Sequence, residues 1–376
     1  MNKSLQRKEI KKELALLDQA LAISGKVLAR IERKHPDAYP MFRHNNHRSG
    51  CTEEKIHFNN IPEMEVFYHL ISVNSSPVSD GRYLYFGSNY KYLHALDIHT
   101  LKEVWRFKTA KEIKSTPTIK KGVLFFGSFD TFFYAIHAHS GIIKWKYKTG
   151  DWIFSSPLYQ DVTVWFGGLD SYIYALHAGS GALRWKYKTG HWVIASPVLY
   201  DGVLYVACRD KTFLALNPTN GTLIWKRTFS GPLHSTPAIH NGIAYFGCLH
   251  GNFYALNLNE NNIIWERKAG GAVFSSAAVC KDLVCFGSRD RNLNALHPVT
   301  GKVLWQFEAG RSVHSSPVIT PENVFFGSDD GQFYALNRQG ELRWKVQTEG
   351  PIRTSPLVSG NNVFFGGQYL YKLFEE

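Results

Sequence analysis

Apolar residues along most of this chain fall in short runs that are separated by turn-forming residues. Four such runs follow one another in one representative stretch: residues 196–200, 203–207, 213–216 and 223–226. Asp201-Gly202 separates the first two runs and Asn220-Gly221 precedes the last, and dipeptides of this type favour the tight turns of hairpins. The pattern predicts a four-stranded antiparallel meander.

This four-run unit recurs along the chain with a step of 40 residues, and of 39 at the last repeat. A tryptophan marks the last run of seven units: Trp105, Trp145, Trp185, Trp225, Trp265, Trp305 and Trp344. A Ser-Pro or Thr-Pro pair marks the first run, with prolines at 77, 117, 157, 197, 237, 317 and 356, and Ala277 takes this place in the sixth unit. Four strands in roughly 40 residues is the size of one β-propeller blade.

The position of the prolines supports a propeller over a sandwich or a closed barrel. A proline inside a strand is tolerated where its missing N–H has no partner to bond, and the innermost strand of a blade borders the central channel. The eighth unit stops at Glu376, before its tryptophan-bearing strand. We therefore predict an all-β, eight-bladed propeller over residues 64–376, closed by an N-terminal strand at residues 64–68.

The repeated unit resembles the pyrroloquinoline-quinone-type (PQQ-like) propeller repeat. The residues that carry the resemblance are a Ser-Pro pair, Phe-Gly-Ser, Tyr-Ala-Leu, Thr-Gly and a Trp followed two positions later by Phe or Tyr. The segment from Tyr39 to His44, followed by Ser49-Gly50, resembles the stretch that precedes such rings. The resemblance covers about residues 39–376, and it implies that the repeated tryptophans dock on neighbouring blades.

The N-terminal region differs from the repeats. Its apolar residues have a spacing of three or four: Ile10, Leu14, Leu17, Leu21, Leu28 and Ile31. This pattern predicts an amphipathic α-helix over residues 1–34, joined to the ring by a strap or linker at 35–63. Packing on the ring, a helix-mediated dimer, a partner-binding helix and a membrane-surface helix all remain open.

Composition and charge bear on the class of partner and on the cellular compartment. The net charge of +12 and the pI of about 9.3 allow an acidic partner, but the basic residues form no single block, so nothing beyond the pI indicates nucleic acid. No stretch approaches the roughly 20 apolar residues of a membrane span, and no secretion signal is recognised. Five cysteines without a paired spacing indicate a reducing compartment. We predict a cytoplasmic protein.

Candidate functional residues are those that vary between repeats beside the predicted channel. We expect ligand-binding side chains at Lys114, Trp152, Phe154, Trp192, Arg209, Phe274, Arg289, Asp329 and Arg353. Three histidines are acid/base candidates: His191, His234 and His314. Their loops are 40 or more residues apart and have no metal-ligand spacing, so we predict no metal site.

The resemblance also raises the question of a quinone cofactor. In the quinoprotein dehydrogenases of this family, the quinone stacks on a Trp beside a calcium ion held by Glu, Asn and Asp. Trp152 and Trp192 are possible stacking platforms, but no carboxylate set accompanies them, and we predict no quinone. The sequence favours a non-catalytic scaffold that engages a protein partner through the channel mouth or the helix. The alternative is an enzyme or binding protein for an anionic small molecule.

Overall fold

The computed structural model of the chain describes residues 41–43, 45–56, 58, 60–67 and 72–375. Over these residues the fold is all-β, with 32 strands in eight separate four-stranded antiparallel sheets. The described residues contain no helix, and the helix predicted for residues 1–34 lies outside them. The described part of the chain therefore has no helix that is long and apolar enough to cross a membrane.

Each sheet is one blade, and its strands follow one another from the channel outward. Blades 1 and 2 consist of β2 (Val78–Ser79), β3 (Tyr83–Gly87), β4 (Tyr92–Asp97), β5 (Glu103–Lys108), β6 (Thr118–Lys120), β7 (Val123–Gly127), β8 (Phe132–His137) and β9 (Ile143–Lys148). Blades 3 and 4 consist of β10 (Leu158–Gln160), β11 (Thr163–Gly167), β12 (Tyr172–His177), β13 (Leu183–Lys188), β14 (Val198–Tyr200), β15 (Val203–Ala207), β16 (Thr212–Leu216) and β17 (Leu223–Thr228).

The second half of the ring repeats this arrangement. Blades 5 and 6 consist of β18 (Ala238–His240), β19 (Ile243–Gly247), β20 (Asn252–Asn257), β21 (Asn262–Lys268), β22 (Ala278–Val279), β23 (Val284–Gly287), β24 (Asn292–Leu296) and β25 (Val303–Glu308). Blades 7 and 8 consist of β26 (Val318–Ile319), β27 (Asn323–Gly327), β28 (Gln332–Asn337), β29 (Leu342–Gln347), β30 (Leu357–Ser359), β31 (Asn362–Gly366), β32 (Leu370–Phe374) and β1 (Glu63–Phe67).

Blade 8 joins the two ends of the ring. Strand β1 supplies its outermost strand and pairs antiparallel with β32, from Glu63 opposite Phe374 to Phe67 opposite Leu370. The closing strand thus comes from the N-terminal side. This pairing leaves no open sheet edge between the first and last blades, where another chain could add a strand.

The core lies between the blades. The second strand of a blade is buried along its length, whereas the outer strand alternates between exposed and half-buried side chains, as β11 and β9 illustrate. Aromatic rings of adjacent blades stack, for example Phe133 on Phe166 with ring centroids 4.0 Å apart. The indole Nε1 of Trp145 donates a hydrogen bond to the carbonyl oxygen of Ala178 in the next blade, at 3.0 Å. Burial of large flat side chains between sheets is the main stabilising contribution in this architecture.

Candidate functional site

One end of the central channel is filled by the strap that precedes the ring. The guanidinium of Arg43 donates hydrogen bonds to the carbonyl oxygens of Pro317 and Ala277, and that of Arg48 donates to Pro157 at 2.7 Å. Both arginines are buried. Because these carbonyls belong to blades on opposite sides of the ring, the two side chains close this end of the channel.

Backbone hydrogen bonds fix the strap across four innermost strands. The amides of Leu199, Ile239, Val279 and Ile319 donate to the carbonyls of residues 46, 47, 49 and 50. These strand edges face the channel and have no neighbouring strand there, so the strap satisfies donors that would otherwise be buried without partners. The strap is therefore an ordered part of the ring.

The other end of the channel is an open cavity of about 310 Å³. Phe42 of the strap belongs to its lining, and the remaining lining residues come from the segments that lead into the innermost strands. The side chains nearer the mouth are Asn74, Lys114, Phe154, Ile194, His234, Phe274, His314 and Arg353. The deeper ones are Ser76, Thr116, Ser156, Ser196, Thr236, Ser276, Ser316 and Ser355.

The deeper residues form a ring of hydroxyl groups. The hydroxyl oxygen of Thr116 accepts a hydrogen bond from the amide of Ser76 in the preceding blade at 3.0 Å, and that of Ser76 accepts one from Ser355 at 2.8 Å across the closure. The same bond recurs at most of the other blade junctions described. A hydroxyl that accepts in this way still has its hydrogen to donate. The ring thus holds the blades in register and presents hydroxyl donors to the cavity.

The fold brings together six of the residues expected from the sequence. The wall of the cavity contains Lys114, Phe154, His234, Phe274, His314 and Arg353. The rings lie in edge contact around it, with centroid distances of 6.2 Å from Phe154 to His234 and 4.9 Å from His234 to Phe274. The ring of Phe274 lies 5.1 Å from that of His314. All six residues lie three positions before the repeated proline, or before Ala277 in its place, and this geometry is consistent with the expectation that they lie beside the channel.

The other candidate residues surround the cavity. Trp152 and Trp192 occupy equivalent positions in adjacent blades, and each indole is 39% exposed. The guanidinium of Arg209 lies 5.4 Å from the ring of Trp192, and that of Arg289 lies 6.0 Å from the ring of Phe274. Cations over aromatic faces are attracted by the ring quadrupole. His191 is exposed, contacts Trp192 with its ring and is not part of the cavity lining.

Arg353 was expected to bind a ligand, but its guanidinium already has a partner within the chain. Its Nε and Nη2 donate to the two carboxylate oxygens of Asp329 at 2.8 and 3.1 Å. This pair raises the pKa of Arg353 and neutralises much of its charge. The ammonium of Lys114, in contrast, lies 4.9 Å from the ring of Phe129 and forms no salt bridge within the described part of the chain. Lys114 is therefore the stronger candidate for an anion contact.

Burial keeps the two histidines of the cavity wall neutral near pH 7. Desolvation, with a smaller contribution from the nearby Arg209, lowers the pKa of His234 to about 4. Desolvation also lowers the pKa of His314, although Asp329 opposes this shift. The Nε2 of His314 is buried without a hydrogen-bond partner among the described residues. Two neutral imidazoles can each donate one hydrogen bond and accept another.

The residues of this cavity do not fit a quinone–calcium pair. No aspartate or glutamate lines the cavity, and Asp329, which contacts His314 of the cavity wall, is paired with Arg353. Across the described ranges no cluster of three or more His, Cys, Asp or Glu side chains could hold a metal ion. A tricarboxylate quinone with a hard cation needs such oxygen ligands. We therefore assign no chemistry to this cofactor here.

Sequence reasoning did not identify Phe42, Arg43 and Arg48 as channel residues. The signal was present, since Arg43 and Gly50 lie in the segment that resembles the stretch before other PQQ-like rings. A Cβ added to Gly50 would lie 2.0 Å from Nη2 of Arg43, so glycine is required where the guanidinium passes. Isolated arginines in a polar segment give no indication that they are buried.

Comparisons with known proteins agree with this architecture. Residues 159–368 match the family model for the beta-propeller of the beta-alanine-activating enzyme, and residues 19–158 match the model for outer membrane protein assembly factor BamB. A comparison with curated protein sequences found no match.

Solved structures with the same fold are numerous, and the following three are distant from this chain in sequence. BamB from Moraxella catarrhalis is 18% identical, with a TM-score of 0.72 over 84% of this chain and 98% of that one. A europium-containing methanol dehydrogenase is 14% identical, with a TM-score of 0.76 over 91% of this chain and 92% of the other. The quinohemoprotein alcohol dehydrogenase from Comamonas testosteroni is 14% identical, with a TM-score of 0.78 over 96% and 84%.

At these identities the structural likeness establishes the fold and no activity. The family model that covers residues 159–368 spans more than half of the chain, and the eight blades have the repeat described above. The chain therefore belongs to the PQQ-like eight-bladed β-propeller family, and within it to the propellers represented by that of the beta-alanine-activating enzyme.

Proposed function

We propose that this chain is a non-catalytic binding propeller that engages a protein partner through its mouth face. The mouth face is the cavity together with Trp152, Trp192, Arg209 and Arg289 around it. The observation that carries the proposal is the pair of half-exposed tryptophans at equivalent positions of adjacent blades, each beside a cation. Lys111 lies 5.4 Å from the ring of Trp152, as Arg209 does from that of Trp192.

Tryptophan and arginine are the residues that most often dominate the free energy of protein association. An exposed indole loses unfavourable hydration when a partner covers it, and its two rotatable bonds limit the entropy lost on binding. The cavity of the mouth face has room for a side chain inserted by the partner. Its hydroxyl ring and neutral imidazoles can form hydrogen bonds with the polar end of that side chain. The rigid blades hold all of these groups in fixed positions.

The comparisons support a binding role without defining the partner. The model that matches residues 19–158 describes an assembly factor, and the BamB structure has the same fold over almost its full length. Dehydrogenases share the fold as well, but the cavity of this chain lacks the carboxylate set that their cofactor requires.

Site-specific photocrosslinking tests the proposal. A photoreactive phenylalanine analogue replaces Trp152 in full-length protein expressed in its own source cells, and the matched control places the same analogue at Ile264, which is 41% exposed on outer strand β21. We expect a discrete protein adduct from position 152 and none from position 264. With the identified partner purified, the double change Trp192→Ala and Arg209→Ala should weaken binding at least tenfold. Equal crosslinking at both positions would refute the mouth face as the binding surface.

The second candidate is a small anionic ligand in the cavity, which the position of Lys114 favours. A buried anion gains most from a cation that has no other partner, and the hydroxyl ring adds donors below it. Native mass spectrometry of protein purified gently from its source would detect a bound molecule as extra mass. That mass should disappear in Lys114→Met and persist in Lys144→Met, a matched change of an exposed lysine on β9. A bare polypeptide mass in wild type would argue for the protein partner.

A contact through residues 1–34 is a further part of the proposal. If the predicted helix binds the partner or pairs two copies of the chain, its deletion abolishes that association while the ring remains folded. Sedimentation velocity of the full-length and shortened proteins, with and without the partner, separates these outcomes.

A further inference from the structure

A pair of cysteines lies on the face opposite the mouth, where the strap crosses blades 6 and 7. Cys51 belongs to the strap and Cys280 follows the innermost strand of blade 6, β22. Both are half-buried, and both line an open cavity of about 850 Å³ together with Arg338 and Asp282. The two residues are 229 positions apart in sequence. Their proximity is therefore a product of the tertiary fold.

The backbone around both cysteines is fixed. The amide of Val279 donates to the carbonyl of Ser49 at 2.8 Å, and Cys51 forms a parallel bridge with Ile319 of β26. Both cysteine side chains pack on the same apolar cluster, which includes Ile319 and Leu283. Both side chains line the same cavity, and each thiol shifts the pKa of the other, as neighbouring groups do. A disulfide requires its two cysteines to be close neighbours in space, and the shared cluster and cavity wall bring these two side chains together.

Arg338 makes the two cysteines chemically unequal, because it lies beside the sulfur of Cys280. Both Nη atoms of Arg338 lie 3.8 Å from the Cys280 sulfur, and the guanidinium is fixed by Asp282 at 2.5 Å and by the carbonyl of Thr320 at 3.1 Å. The interaction with Cys51 and the charge of Arg338 lower the pKa of Cys280, against the effect of burial. The same interaction, together with burial, raises the pKa of the Cys51 thiol. Cys280 is thus the nucleophile of the pair, because the thiolate is the reactive form.

We propose that Cys51 and Cys280 are a peroxide-sensitive pair that forms a disulfide between the strap and blade 6. The Cys280 thiolate attacks hydrogen peroxide and breaks its O–O bond, giving a sulfenic acid and, after proton transfer, one water. The sulfur of Cys51 then attacks the sulfenic sulfur, forms the S–S bond and releases a second water. Two thiols and one peroxide give one disulfide and two waters, so electrons and atoms balance.

The disulfide would link the strap, which closes one end of the channel, covalently to blade 6. In the reduced protein the strap is held by hydrogen bonds and by Arg43 and Arg48, which can open locally. The disulfide closes a loop of 229 residues and removes the unfolded states in which strap and blade 6 separate. The other three cysteines are buried within the blades and do not line the open cavity.

The test uses the full-length protein treated with hydrogen peroxide, blocked with a thiol reagent and digested. We expect an intact mass lower by about 2 Da before blocking, a peptide pair linked through Cys51 and Cys280 after digestion, and slower proteolysis of the strap. Cys51→Ser leaves Cys280 without a resolving thiol, so a sulfenic acid should then be trapped by dimedone at position 280. In Cys280→Ser the remaining Cys51 should stay unmodified under the same conditions.

Two arginine variants test whether Arg338 activates Cys280. Arg338→Met should slow disulfide formation about tenfold, because the thiolate fraction of Cys280 falls. Arg343→Met, which removes another partly exposed arginine of blade 7, should leave the rate unchanged. A Cys280 that stays reduced at the end of peroxide treatment, or a Cys51 linked to a different cysteine, would overturn the proposal.

Discussion

The indole of Trp185 in blade 3 lies against Gly221 of blade 4. A Cβ at position 221 would be 2.6 Å from Cε3 of Trp185, and the indole Nε1 donates to the carbonyl of Pro218 at 2.9 Å. The turn that contains Gly221 therefore has two conditions to meet, a positive φ of 74° and no side chain. The contact links the outer strand of one blade to a turn of the next, and it makes each blade dependent on its neighbour.

This relationship predicts the effect of Gly221→Ala. The substitution combines strain at positive φ with overlap on the indole, and we expect the free energy of unfolding to fall by about 2–4 kcal/mol. Gly202→Ala is the matched control, since Gly202 has a φ of 72° and no atom within 4 Å of the added Cβ. Gly202→Ala should cost about 1 kcal/mol. Equal losses in the two denaturation curves would show that the Trp185 contact contributes nothing.

Truncation of the tryptophan itself gives a second prediction. Trp185→Ala removes a side chain that is 9% exposed and should lower the free energy of unfolding by about 3–5 kcal/mol. Trp192→Ala, at the exposed mouth, should change stability by about 0.5 kcal/mol or less. Chemical denaturation of both variants tests this ordering, and a stable Trp185→Ala protein would contradict the packing account.

The channel plug predicts a large effect from one buried arginine. Arg48→Met removes the arginine donor to the Pro197 carbonyl and one of two donors to the Pro157 carbonyl, which also accepts from the Thr118 hydroxyl at 2.7 Å. A buried acceptor left without a donor costs about 1–3 kcal/mol. We expect a lower melting temperature and faster cleavage within residues 41–56. Arg291→Met removes an exposed ion pair with Glu308 and should be almost neutral. An intact strap in Arg48→Met would mean that backbone hydrogen bonds alone hold it.

The cavity wall predicts a pH dependence of stability. His234 has a pKa of about 4 when folded and an ordinary value near 6.5 when unfolded, so the unfolded chain binds more protons between these values. The stabilisation by neutral His234 is complete above about pH 6.5 and declines as the pH falls towards 4. His234→Phe should therefore reduce the dependence of the melting temperature on pH between pH 6.5 and 4.5, and the slope that remains is contributed by His314. His99→Phe, a change of an exposed histidine, should keep the wild-type slope. Parallel profiles for wild type and His234→Phe would contradict this assignment.

The architecture could be predicted because its signals are local. A tryptophan every 40 residues, a Ser/Thr-Pro pair and two hairpin turns define each blade within a short stretch of chain. The phase of the repeat also indicated that the last blade lacked a strand and that the missing strand precedes the ring, and β1 pairs with β32 there. Periodicity of this kind reflects strand pairing, which involves neighbours in sequence.

The candidate site was predictable in part. Because the position three residues before the repeated proline is equivalent in every blade, the ring symmetry places Lys114, Phe154, His234 and Phe274 around one opening. The symmetry gives no information about pairs between different side chains. The ion pair of Arg353 with Asp329 depends on two loops of adjacent blades, and only their geometry decides which cation keeps its charge available.

The sequence by itself determined the repeat, the number of blades, the closing strand and the positions that face the channel. The tertiary structure decided that Arg43 and Arg48 fill one end of the channel and that Lys114, unlike the other lining cation Arg353, has no carboxylate partner in the described residues. It also brought Cys51 beside Cys280. The physical reason is that blade formation depends on contacts within about 40 residues, whereas burial, charge pairing and thiol proximity depend on where distant segments meet when the ring closes.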